Sequence, residues 1–167
     1  MTRPTFESTG PMRSIAIVDT SALYAAADST ESNHRHCLEV LGRRELDLAI
    51  PVLAVAEATH LVASRLGSAA EVAFLRGLSA FAIEPPTVDD WPHIADLVER
   101  YADLGLGTTD ASIAVLADRL GTDLVITLDG RHFGTIRLPD GRPFRVLPDS
   151  AAVHESPGGY RAVGGGP

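Results

Sequence analysis

The chain has no lysine. All fourteen basic residues are arginine, and this removes several phosphate-handling classes at once. A P-loop nucleotide site needs a Gly-rich loop ending in lysine, and aspartyl-phosphate enzymes and phospho-accepting modules hold the transferred group with one. Position 21, two past the acid that ends the first apolar run, is serine, so the aspartate pair of such phosphatases is missing as well. Cysteine is almost absent. The lone Cys37 has no partner for an internal disulfide, which agrees with a reducing compartment. No apolar run approaches the ~20 residues that cross a bilayer, and Met1-Thr2-Arg3-Pro4-Thr5-Phe6-Glu7 has no apolar signal core. The expectation is a cytoplasmic protein without membrane contact. Positive charge is also scarce. A formal charge of −8 argues against coating duplex nucleic acid through a broad basic face. It leaves room for a local site, because a bound divalent cation reverses the field where a phosphate arrives.

What is present suits one packed core: 167 residues, 45% of them apolar. Residues 1–12 carry Pro, Thr, Ser and Gly without periodicity and read as a flexible leader. Residues 151–167 read as a flexible Gly-rich tail, which leaves 13–150 as the folded domain. Within it, short apolar runs alternate with helical patterns, the signature of an α/β fold with a central, mainly parallel sheet flanked by helices. Strands are predicted at Ser14–Val18, Leu48–Val52 and Asp123–Thr127, with weaker ones at Phe81–Glu84 and Phe144–Leu147. Helices are predicted around Leu38–Leu46, over Leu53–Leu66 and through Val72, Leu75 and Leu78. Another carries an inward stripe of Trp91, Ile94, Leu97, Val98 and Tyr101, and the last runs from Thr108-Thr109-Asp110 to Gly121.

Four segments end an apolar run on an acid: Ile15-Ala16-Ile17-Val18-Asp19, Val52-Leu53-Ala54-Val55-Ala56-Glu57, Gly107-Thr108-Thr109-Asp110 and Leu124-Val125-Ile126-Thr127-Leu128-Asp129. Converging carboxylates repel unless a proton or cation lies between them. Oxygen-only ligation of that kind is the usual setting for Mg²⁺ or Mn²⁺ acting on phosphates. Ligands of open α/β sheets bind beyond the carboxyl ends of the strands, where Asp19, Glu57 and Asp129 would lie, and Asp110 would open a helix whose dipole favours a carboxylate. Singly, each acid has a plainer account. Asp110 reads as a helix cap, Asp129 before Gly130 as a turn former, and Asp19 as the start of the next helix. Glu57 is the hardest to explain away, because its helix is largely apolar.

These segments resemble the PIN-domain ribonucleases, in particular VapC-type toxins of bacterial toxin–antitoxin pairs. Ile17-Val18-Asp19-Thr20-Ser21-Ala22-Leu23 resembles the opening motif and Val55-Ala56-Glu57-Ala58 the Glu-bearing helix. Gly107-Thr108-Thr109-Asp110-Ala111-Ser112-Ile113 resembles the third motif, and Thr127-Leu128-Asp129-Gly130-Arg131-His132-Phe133 the fourth. The resemblance implies a PIN-like three-layer sandwich and Mg²⁺- or Mn²⁺-dependent endonucleolytic cleavage of RNA. It also implies neutralisation by a cognate VapB-type antitoxin lying across the crevice, and association as a homodimer. It makes Asp19, Glu57, Asp110 and Asp129 the catalytic and metal-binding acids, with Thr20, Ser21 and Thr109 as supporting hydroxyls.

Asp129 or Asp110 is then the candidate acceptor of the attacking water's proton. Arg131, Arg137, Arg142 and Arg145 follow the last acid and are candidate contacts to the RNA backbone, although solvated loop charge is the plainer account. His132 lies near enough to touch substrate, and a general-base role for it is not favoured. His34, His36 and Cys37 lack the second ligand cluster that a zinc site needs. The leading alternative from another class is a non-catalytic PIN-fold module that binds a protein partner and uses the acids structurally.

Overall fold

The computed structural model describes residues 13–148; the expected leader and tail, 1–12 and 151–167, lie outside the described residues. Five strands form one sheet: β1 (Ser14–Val18), β2 (Leu46–Pro51), β3 (Ala82–Glu84), β4 (Leu124–Ile126) and β5 (Arg145–Leu147). Their order is β3-β2-β1-β4-β5, and every pairing is parallel, with Ile17 opposite both Ala49 and Val125. Seven α-helices connect them: α1 (Thr20–Ala27), α2 (His34–Leu41), α3 (Val52–Leu66), α4 (Ser68–Gly77), α5 (Asp90–Arg100), α6 (Thr108–Arg119) and α7 (Gly130–Thr135).

Successive strand residues point to opposite faces, so a sheet buried on both sides needs apolar residues at every position. Ile17 and Val125 pack on one face with Ala111, Ile113 and Phe133 of α6 and α7 and Ile94 of α5. Ala16, Val18, Ile50 and Ile126 pack on the other with Ala22 and Leu23 of α1, Cys37 and Val40 of α2, and Ala54 and Ala58 of α3. The result is the three-layer sandwich. None of the described helices is long and apolar enough to cross a membrane.

Several boundaries differ from the sequence reading. Gly42 ends α2 at Leu41, so Glu45 lies in a turn and Leu46 already belongs to β2. β2 closes on Pro51, and Val52 opens α3. Trp91 departs from the inward stripe: Ile94 is 3% exposed, but Trp91 is 47% exposed and faces solvent. Helix α7 was not foreseen. Six residues with two glycines have little intrinsic helicity, and α7 forms because Asp129 caps it through the Arg131 amide while Phe133 is buried.

This topology fixes where a site belongs. The chain leaves β1 for β2 and β3 on one side and returns to β4 on the other. The order therefore reverses between β1 and β4, and the crevice of an open α/β sheet opens at that switch point.

Candidate active site

Asp19 directly follows β1 and caps α1 at the switch point. It is 6% exposed, and its carboxylate accepts three hydrogen bonds: from the Thr20 amide at 2.6 Å, Ser21 Oγ at 2.7 Å and Thr127 Oγ1 at 2.6 Å. Each hydroxyl is wired at both ends. Ser21 Oγ accepts from the Leu128 amide at 2.9 Å, and Thr127 Oγ1 accepts from the Asp129 amide at 3.0 Å. Both donate onward to Asp19, so the loop after β4 is tied to the acid after β1.

The other acids reach the same edge from different elements. Glu57 stands one turn into α3, and its Oε2 accepts from Thr20 Oγ1 at 3.2 Å, which links it to the residue beside Asp19. Asp110 lies in the first turn of α6, and its Oδ2 is 2.8 Å from His132 Nδ1. Asp129 accepts a bidentate pair from Arg131, at 2.9 Å from Nε and 2.7 Å from Nη2. The Arg131 hydrogen bonds hold the Asp129 carboxyl below its ordinary range. Burial, reinforced by the negative charges of Asp19 and Asp129, pushes Asp110 up to about 6, against the opposing pull of His132. Asp110 thus feels the charges of both Asp19 and Asp129.

The supporting residues divide. Thr20 and Ser21 both bond to a site acid, whereas Thr109 contributes its carbonyl, which accepts from Ser112 Oγ at 2.7 Å. Thr127 was passed over in the sequence, although a hydroxyl ending a buried strand two residues before an acid was its signal. The four arginines also separate. Only Arg131 joins the acids. Arg137 Nη1 donates to the carbonyls of Gly134, Thr135 and Ile136 and so closes the end of α7. Arg145 starts β5 and pairs with Asp123 at 2.6 Å, and Arg142 pairs with Asp140 at 2.6 Å. Those two stand at the amino edge of the sheet, because the turn after α7 carries the chain back before β5 begins. Arg142 and Arg145 follow the last acid in sequence but lie away from it in space. His34 Nδ1 lies 2.8 Å from the Ala25 carbonyl, and burial pushes the Cys37 thiol up to about 11, which leaves an inert core sulfur there.

Does this donor set suit a divalent cation? The available atoms are carboxylate and hydroxyl oxygens, as Mg²⁺ and Mn²⁺ prefer, and Asp110 is pushed upward by burial and, less, by the charges of Asp19 and Asp129. As oriented, no group of three or more His, Cys, Asp or Glu among the described residues is arranged to hold an ion. Each acid is turned to a protein donor instead. The Arg131 donor to Asp129 is 75% exposed and can be released by side-chain rotation at little cost. The donor chemistry fits.

Comparison with known proteins gives a consistent result. Residues 16–137 match the PIN domain family. Over 134 residues, 79% of this chain and 99% of the relative, the sequence is 39% identical to Ribonuclease VapC26 of Mycobacterium tuberculosis. Among solved structures, VapC20 of Mycobacterium tuberculosis, described as a toxin cleaving the sarcin–ricin loop, superposes with a TM-score of 0.64 at 20% identity, covering 69% of this chain and 90% of that one. VapBC2 of Rickettsia felis, bound to a promoter DNA fragment, superposes with a TM-score of 0.60 at 18% identity, covering 79% and 98%.

Proposed function

The chain belongs to the PIN-domain family, within its VapC ribonucleases, and from that premise we propose that it is a metal-dependent endoribonuclease toxin neutralised by a VapB-type antitoxin. The observation that supports the reading is the hydrogen-bonded gathering of acids at the switch point: Asp19 joins through Thr127 to the Asp129 amide, and Asp110 meets His132 on the helix that Asp129 caps. Asp19, Asp110, Asp129 and Glu57 would hold a Mg²⁺ or Mn²⁺ ion. The ion, when bound, supplies polarisation of the scissile phosphate and a lowered pKa for the attacking water.

The chain's own groups do the rest. Ser21 and Thr127 hold Asp19 in one orientation, and Thr20 restrains Glu57. The proton of the attacking water passes to a crevice carboxylate, Asp110 or Asp129. Arg131, released from Asp129, meets the RNA backbone with a bidentate grip on phosphate.

An antitoxin partner is supported by the VapBC assemblies among the structural neighbours. Val72 and Leu75, both exposed on α4, offer apolar surface for a protein partner, the second copy of a homodimer included. The relatives favour the nuclease over a non-catalytic binding module. The test is incubation of the purified chain with total RNA and Mn²⁺, with and without EDTA. Cleavage is expected only without chelator, and cleavage that persists in EDTA rules out the metal mechanism.

A further inference from the structure

We infer that His132 is a positioning residue for the ion site, a fixed Nδ1–H donor that holds the Asp110 carboxylate in the orientation needed for ligation. The inference rests on the nuclease reading. Its first support is geometric: His132 Nδ1 lies 2.8 Å from Asp110 Oδ2, joining α7 to α6 across 22 residues of chain. Both side chains are mostly covered, at 18% and 22% exposure, so the contact is not a solvent-averaged surface pair.

The second support is the rigidity of the donor's platform. α7 is short, but the residue after His132, Phe133, is 1% exposed and meets Phe144 edge to face at 5.5 Å. Ile136 is fully buried beyond it, and Asp129 caps the first turn through the Arg131 amide. An imidazole on such a helix is presented at a set place and angle.

The third support is the charge around Asp110. Asp19, capping α1 after β1, and Asp129, capping α7, stand at the same sheet edge and surround it with like charge. Without a donor on Oδ2, repulsion would turn the carboxylate out of the crevice. With one, Oδ2 is engaged by protein and Oδ1 stays available to a cation. Partners that orient a metal's ligands in this way are worth about tenfold to a hundredfold in metal affinity.

Asn and Gln variants separate this role from a bulk structural one. The amide nitrogen of Asn occupies the place of Nδ1, whereas that of Gln lies one bond farther out. Mn²⁺ affinity of the full chain would be measured by titration calorimetry, with melting followed in EDTA. H132N should bind Mn²⁺ within about threefold of the unsubstituted chain, and H132Q and H132A should bind it about tenfold or more weakly. Equal affinity in all three variants, or equal loss in all three, overturns the positioning role while leaving the nuclease reading intact. If H132A does not fold, the contrast between H132N and H132Q decides. Unfolding of all three makes His132 a structural residue and also overturns the inference. An unsubstituted chain that binds no Mn²⁺ overturns the nuclease reading as well.

Discussion

The two edges of the sheet treat the same kind of residue in opposite ways. At the amino edge, Asp123 meets Arg145 at 2.6 Å with Arg142 beside it, and Asp140 meets Arg142. Hydrogen bonds from these arginines hold both carboxyls below their ordinary range. At the carboxyl edge, Asp110 is pushed upward by burial and by two other aspartates. One edge is neutralised by the chain itself. At the other, Asp129 is paired with Arg131 in the same way, but Asp110 carries a charge that burial and its acidic neighbours disfavour. Paired acids of the first kind serve stability, and strained acids of the second kind mark function.

Substitution should separate the edges, most strongly at Asp19. D19N keeps the shape but removes a charge and an anionic ligand, and RNA cleavage should fall roughly a thousandfold, or about 4 kcal/mol. A loss below tenfold in initial rate would break the comparison.

Asp110 should show the cost of crowding. Its folded-state pKa is raised from an ordinary 3.8 to about 6, so the folded chain binds the proton more tightly than the unfolded chain. Stability in EDTA should therefore be greatest below the unfolded value and fall as pH rises from about 4 to 6. D110N should remove that slope and, at neutral pH without metal, melt higher by the equivalent of about 1–2 kcal/mol, although its cleavage is lost. A destabilised D110N in EDTA would contradict the account.

Arg131 and Asp123 carry the smaller effects. R131A should raise KM for RNA about fivefold, close to 1 kcal/mol, with kcat little changed. D123N should cost about 0.5 kcal/mol of stability, as expected for a largely surface pair, and leave cleavage unaltered. The lowered Asp123 carboxyl fixes the sign there. Its contribution is present above the unfolded pKa and lost as pH falls through the folded one, the reverse of Asp110.

The sequence disclosed the carboxyl edge better than the amino edge, for a physical reason. Burial on both faces forces continuous apolar runs, so β1 was legible to the residue, and an acid directly after such a run lies at the strand's carboxyl end by construction. Asp19 is placed that way and Asp129 nearly so, whereas Glu57 and Asp110 are placed by the helices that carry them. Spacing does not reveal how a short connection turns. α7 was hidden because its helicity comes from the burial of Phe133 and Ile136 rather than from propensity, and with α7 unseen, nothing in the sequence showed that Arg142 and Arg145 are carried to the other edge. Trp91 kept helical spacing with Ile94 and still faced solvent, because periodicity marks a stripe without showing which of its members a neighbour covers. The hydroxyl wiring of Ser21 and Thr127 depends on β1 and β4 being adjacent, a tertiary fact.

Titration of the full chain with Mn²⁺ under calorimetry at neutral pH bears most directly on the excess of negative charge at the carboxyl edge. The expected result is saturable binding that Mg²⁺ displaces, that D123N leaves unchanged and that D19N abolishes. Absence of binding, or D19N binding as tightly as the unsubstituted chain, would contradict it.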